Sequence, residues 1–245
     1  MKLSEPPDEL PTDPGQQRSR ADARHDPRAR IGPVIGPRRY GRYVGLLALA
    51  ILVLVTINIV LTKPHGVGGV ATGHRVPPFA APLASGGLEG AVNVATSSDA
   101  AGKRTACEVR GAGVLNICEL YEHGPVVLAL FVDGGSCAGV LADMQTLARE
   151  FPDVGFAGVA IKGERAALRK LIRVRGLHDV QVGLDPEGVL VDLYGVATCP
   201  QISFVLPGGV VQSPALLRRP PLGSLRARVS ELVADARAHG WRPPR

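Results

Sequence analysis

The sequence predicts an α/β domain, a mixed sheet flanked by helices, preceded by one transmembrane helix. Three observations predict it. An apolar stretch at 44–62 carries no charge and follows a cluster of arginines. A second apolar run, 126–132, passes through a glycine-containing turn into a helical pattern at 137–151. Beyond it, short apolar runs alternate with amphipathic segments, the mark of strands alternating with helices around one core.

Residues 1–43 are rich in Pro, Arg, Asp and Gly and poor in apolar side chains. Such a segment cannot bury enough surface to offset its chain entropy, so a disordered cytoplasmic tail is expected. The short doublet Ile31-Gly32-Pro33 and Ile35-Gly36-Pro37 is too brief to be a structural repeat. Within 44–61 the only polar side chains are Thr56 and Asn58. Roughly 18–20 helical residues of this kind cross a bilayer with little tilt. Arg28, Arg30, Arg38, Arg39 and Arg42 precede the run with no acid between them, whereas Lys63 and Arg75 are the first strong bases after it. That asymmetry places the N-terminus in the cytoplasm and the C-terminal domain outside, in a single-pass cell-membrane topology. A cleaved signal peptide would have a shorter apolar core and no such polar tail before it. Residues 63–73, glycine-rich and without periodicity, are expected to be a flexible spacer.

The domain then occupies 74–245. Segments 90–96 and 113–118 show short β-type patterns, 126–132 a core strand and 137–151 a helix. The run 154–161 reads as a strand. Ala166, Leu168, Leu171 and Ile172 give 164–175 helical spacing, with Glu164, Arg165 and Arg169 on its solvated face. A short strand at 181–184, a short helix at 188–194 and a hairpin of 202–206 with 209–212 around Pro207-Gly208-Gly209 follow. Leu225, Val229, Leu232, Val233 and Ala236 share one face of a final amphipathic helix, 222–239. Trp241 is read as a packing residue.

Part of the net charge of +6 lies beside the membrane segment, where it sets topology, so it does not point to nucleic acid. The six histidines, His25, His65, His74, His123, His178 and His239, are scattered and form no metal-ligand spacing. Neither Gly66-Val67-Gly68-Gly69 nor Gly86-Gly87-Leu88-Glu89-Gly90 joins a strand to a helix ahead of a lysine, as a phosphate loop does. No metal and no cofactor is expected.

The four cysteines, Cys107, Cys118, Cys137 and Cys199, all follow the membrane segment. In the expected topology they face an oxidising compartment, where disulfides persist. Four cysteines allow three pairings, and spacing alone does not choose among them. Cys137 lies between the core strand and a helix. Free N–H groups and the dipole at a helix N-terminus favour a thiolate. Asp133, in the turn between them, is a local hydrogen-bonding group or an acid or base beside the thiol.

These residues resemble the thioredoxin-like superfamily over roughly 74–245. They are most similar to membrane-tethered disulfide reductases with a cytochrome c maturation type of domain, and to redoxin-domain proteins common in actinobacteria. Val76-Pro77-Pro78-Phe79 resembles the A-P-x-F segment, and 126–132 the first core strand. Cys137 falls on the first cysteine of Cys-x-x-Cys, with Met144 and Leu147 at the family's helix positions. Asp185-Pro186-Glu187-Gly188 through Tyr194-Gly195-Val196 resembles the D-x-x-G…Y-G-V segment, and Pro200 the cis-proline that faces the thiol. Pro207-Gly208-Gly209 stands at the family's hairpin turn without its aspartate. The departures are Val140 in place of the second cysteine, Ser136 in place of the preceding tryptophan, and Gly134 where a peroxidatic Thr-x-x-Cys motif needs threonine. A Cys-x-x-Cys dithiol mechanism is therefore absent, and peroxidase chemistry is disfavoured.

The resemblance ranks the pairings. It makes the helix start and the residue before the cis-proline neighbours, so Cys137 pairs with Cys199, and Cys107 with Cys118 as a local staple. It implies an extracytoplasmic thiol–disulfide oxidoreductase with Cys137 as nucleophile, Cys199 as resolving thiol and Pro200 shaping the groove for envelope protein thiols or disulfides. The alternative is a redox-inactive thioredoxin-like domain that binds an envelope partner.

Overall fold

The computed structural model describes residues 37–61, 68–95, 103–134 and 136–243. The chain forms two units, divided between Asn58 and Ile59. The first holds helix α1, Pro37–Leu61, as far as Asn58. The expected tail lies outside the described residues up to 36, and its last part, from Pro37, is already helical. Proline suits a first helical position because its missing N–H would be unbonded there anyway. The large apolar side chains described in α1 are all exposed, from 47% at Val53 to 73% at Tyr43. Among the described residues, no helix is long and apolar enough to cross a membrane. The side chains described without a break in α1 run over 43–58, short of the C-terminal end of the apolar segment at 62.

In the second unit, β3 (Val126–Val132), β4 (Gly155–Ile161) and β5 (Gln181–Asp185) run parallel, while β6 (Gln201–Val205) pairs antiparallel with β3 and β7 (Val211–Leu216) antiparallel with β6. The strand order is β5-β4-β3-β6-β7, with β3 in the middle. A central strand has both faces covered, so its sequence is an unbroken apolar run rather than an alternation. Val127, Ala129 and Phe131 face α3 (Val140–Glu150) and α6 (Leu222–Ala238), packing with Leu141, Met144, Leu147, Leu225 and Leu232. Val126, Leu128 and Leu130 join the opposite core, with Phe79, Ile117, Leu190 and Tyr194. Gly158 in β4 lets α3 come close: a Cβ there would lie 2.6 Å from Leu141 Cδ2.

Two segments of the resembled motif hold each other. The Tyr194 hydroxyl donates to Pro77 O at 2.7 Å, and the Tyr194 ring meets Phe79 edge-on at 5.8 Å. Burial pushes the Tyr194 phenol well above its ordinary pKa, so it stays a neutral donor. Asp185, fully buried at the end of β5, accepts from the amides of Gly188, Val189 and Leu190 and thereby anchors α5 (Val189–Leu193).

Several expectations give way to tertiary context. The described part of the expected spacer, 68–73, packs on this unit: Val70 is buried, Gly68 N–H donates to Gly195 O and Gly73 N–H to Val211 O. Gly69, at φ +106°, passes so close to Ala215 that a Cβ would lie 2.9 Å from its methyl. Of the described part of the β-type segment 90–96, residues 90–95, only Asn93 pairs, in an isolated bridge to Ala80. Segment 113–118 holds a strand of three residues, β2 (Val114–Asn116), paired with β1 (Ala80–Pro82), and then turns into α2 (Ile117–His123). Asn116 ends the strand, because its Oδ1 accepts from the amides of Cys118 and Glu119 and so caps α2. On α4 (Arg165–Arg175), Glu164 and Arg169 are exposed as expected, but Arg165 is half-buried and both arginines also bind the chain at 83–88. Arg165 donates to the carbonyls of Leu83, Gly86 and Leu88, and Arg169 to those of Ala84 and Gly86. The two guanidinium groups, which present several donors each, make five hydrogen bonds to four carbonyls of the 83–88 loop.

Cys107 and Cys118 are joined by a disulfide with Cα atoms 5.3 Å apart. Asn116 Nδ2 ties the same loop by donating to Ala106 O and Val109 O. Closing so short a loop stabilises by about 2–3 kcal/mol. Replacing both cysteines with serine should lower the melting temperature by roughly 4–12 °C while leaving Cys137 chemistry intact. A melting curve superimposable on that of the unmodified protein would dismiss the staple.

Candidate functional site

The site forms where β3 ends beside the start of β6. The chain leaves β3 at Val132 and turns through Gly134, whose φ of +117° favours glycine. Cys137 then opens a single 3-10 turn, Cys137–Gly139, and the α-helix proper begins at Val140. The sequence placed one continuous helix from 137. Tight i→i+3 bonding in the first turn is a common way to start a helix. From the other side, the chain leaves α5 through Gly195 at φ +57° and returns to the sheet through a cis Cys199–Pro200 bond.

These two approaches bring Cys137 and Cys199 together across 62 residues of sequence. Their Cα atoms are 5.5 Å apart, within the range of about 4.4–6.8 Å that a disulfide spans, and the two sulfurs are bonded. Both residues are half-buried and Pro200 is buried. The described residues contain no free cysteine. Val140, the residue in the second Cys-x-x-Cys position, is fully buried in the core against the sheet and takes no part in the site.

Sequence reasoning missed three features here. The Val132 amide donates to Cys199 Sγ, at 3.2 Å. Thr198 Oγ1 donates to Leu217 O at 2.7 Å, tying the cis-proline loop to the segment after β7. Arg219, on that segment, makes a two-pronged pair with Asp143 of α3, Nε at 2.6 Å and Nη2 at 2.9 Å. Its third nitrogen lies over Gly139, where a Cβ would stand 2.6 Å from it. No local signal in sequence announces any of the three, because each joins residues more than a turn or hairpin apart. Asp133, the candidate acid or base, lies with its Cβ against Gly163 and has no hydrogen bond to either cysteine among the described residues. The described residues include no group of three or more His, Cys, Asp or Glu side chains able to hold a metal ion. Chemically, the arrangement provides one half-exposed disulfide at the edge of a rigid core, with an amide donor on one sulfur.

No known protein family and no curated protein matches the chain. Solved structures do. A putative protein disulfide isomerase from Bacteroides thetaiotaomicron aligns with a TM-score of 0.50 at 15% identity, covering 71% of this chain and 98% of that one. A secreted Mycobacterium tuberculosis disulfide oxidoreductase homologous to E. coli DsbE aligns at 0.47 and 18% identity, covering 62% and 95%. Peroxidoxin BcpB from Mycobacterium tuberculosis aligns at 0.48 and 17%, covering 68% and 96%. At these identities the likeness concerns the fold. With the strand order, the helical turn opened by Cys137 and the cis-proline, the second unit has a thioredoxin-like fold.

Proposed function

We propose that this chain is a membrane-anchored, extracytoplasmic thiol–disulfide oxidoreductase in which Cys137 is the nucleophile and Cys199 the resolving thiol. The observation that carries the reading is the Cys137–Cys199 disulfide beside the cis-proline. It supplies, from the loop before Pro200, the second sulfur that Val140 does not. Exchange needs an attacking thiolate and a partner thiol to resolve the mixed disulfide, and these two cysteines stand within bonding reach. Pro200 shapes the adjoining groove, and the substrates are thiols or disulfides of envelope proteins. No cofactor enters the reaction.

The anchor and the compartment rest on the sequence: the uncharged segment 44–62 and the arginines before it. An α-helix apolar on all sides calls for a cover that water does not give, and a lipid bilayer provides one. An exterior-active reporter fused after Arg245 should be active and a cytoplasm-only reporter silent; the reverse pattern would refute this topology.

A second reading, a redox-inactive thioredoxin-like domain that binds an envelope partner, is favoured by buried Val140 where the family has its second cysteine. One assay separates the two. The purified chain, mildly reduced, should accelerate reduction of a test peptide disulfide well beyond an equal concentration of glutathione. Acceleration no greater than that of glutathione would leave the binding reading.

A further inference from the structure

Cys137 was the sulfur expected to be held as a thiolate, from its place at a helix start. The hydrogen bonds favour the other one. The α-helix begins three residues after Cys137, and two amides of the intervening turn are already engaged: Gly139 N–H on Ser136 O, and Val140 N–H on Ala138 O and Cys137 O. Among the described residues, the only backbone amide bonded to either sulfur is that of Val132, on Cys199 Sγ at 3.2 Å.

Strand register explains the contact. Leu130 pairs with Gln201 in the β3–β6 ladder, so two residues further on Val132 stands opposite Cys199. The ladder stops before that point, at Pro200. Cys199 Sγ receives an N–H that a continuing strand would have taken. The charged groups nearby do not supply an equivalent bond. Asp133 lies against Gly163, and Arg219 over Gly139 has two of its nitrogens on Asp143.

Building on the exchange reaction proposed above, we infer that the Val132 amide is a catalytic group, the donor that stabilises Cys199 as the leaving thiolate when the Cys137–Cys199 disulfide is attacked. A substrate thiolate attacks Cys137 Sγ. A bond forms between substrate sulfur and Cys137, the Cys137–Cys199 bond breaks, and its electron pair goes to Cys199 Sγ, where the Val132 N–H meets it. A second substrate thiolate then displaces Cys137, leaving the pair reduced by two electrons and the two substrate thiols joined as a disulfide. In the reverse direction the same amide keeps Cys199 charged and ready to resolve a mixed disulfide on Cys137. A hydrogen bond to a charged group is about twice as strong as one between neutral groups, so the amide acts mainly on the anion.

The experiment uses the full chain in detergent micelles, carrying Cys137→Ser so that Cys199 is the free thiol. Residue 132 is introduced either as valine or as its α-hydroxy acid, which replaces the N–H by an ester oxygen and keeps the side chain. Thiolate absorbance at pH 7 should fall roughly tenfold in the ester form, as expected for loss of one hydrogen bond to a charged group. An unchanged thiolate fraction overturns the inference. A second measurement needs no altered backbone. The chain with all four cysteines is treated with limiting reduced glutathione, quenched in acid and mapped by mass spectrometry. Glutathione should sit on Cys137, and a majority on Cys199 overturns the inference as well. Failure of the exchange reading is separate: it would appear as absent catalysis in the peptide disulfide assay, whatever the thiolate fraction of Cys199.

Discussion

Cys137→Ser should reduce exchange with a test peptide disulfide to the uncatalysed rate, because the thiolate is the nucleophile and a serine hydroxyl does not replace it. Cys199→Ser should behave differently. Attack on substrate still proceeds, but the resolving step is lost, so mixed disulfides should accumulate on Cys137 and be visible by non-reducing mass spectrometry. The contrast between the two variants is the informative result, since a general loss of folding would affect both alike. The binding reading expects neither variant to change partner binding or cellular phenotype. A Cys137→Ser protein that keeps its exchange rate within twofold would end the proposal that this cysteine is the nucleophile.

Asp185→Ala should be the most destabilising single change near the site. Its carboxylate is fully buried and accepts three amides, from Gly188 at 3.0 Å, Val189 at 3.1 Å and Leu190 at 2.7 Å. Alanine leaves Gly188 N–H with Asp185 O at 3.3 Å but strands the amides of Val189 and Leu190, and each buried amide without a partner costs about 1–3 kcal/mol before relaxation. Allowing for relaxation, a loss of about 3–4 kcal/mol is expected, or roughly 6–16 °C in melting temperature for a domain of this size. Asp185→Asn keeps one carbonyl oxygen and should lose less. The damage should spread to Tyr194, one residue beyond α5, and so to its bond with Pro77 O. Calorimetry showing the alanine variant within 1 °C of the unmodified protein would disprove this anchoring role.

Both results depend on residues that differ in how openly the sequence displays them. Asp185 stands in a D-x-x-G pattern, and its three amide bonds all lie within five residues. Cys137 stands between a strand pattern and a helix pattern. Short-range features of this kind are written in periodicity and turn chemistry, which is why the order of β3 to α6 and the hairpin at Pro207-Gly208-Gly209 were legible from sequence. The short helix α2 was not, because its cap, Asn116, follows a strand pattern without a break.

The sequence by itself determined where the apolar runs lie, which of them suit a sheet buried on both faces, and that a proline follows Cys199. It left three cysteine pairings open until the resemblance ranked them. Only the tertiary structure brought Cys137 and Cys199 to 5.5 Å, placed Val132 N–H on Cys199 Sγ, and gave Arg165, Arg169 and Arg219 their distant partners. The physical reason is the range of the interactions. Hydrophobic periodicity and capping act over a few residues and leave a pattern in the chain. A disulfide, an N–H···S contact or an arginine on a distant carbonyl depends on which strand edges meet, and the packing of the whole sheet decides that.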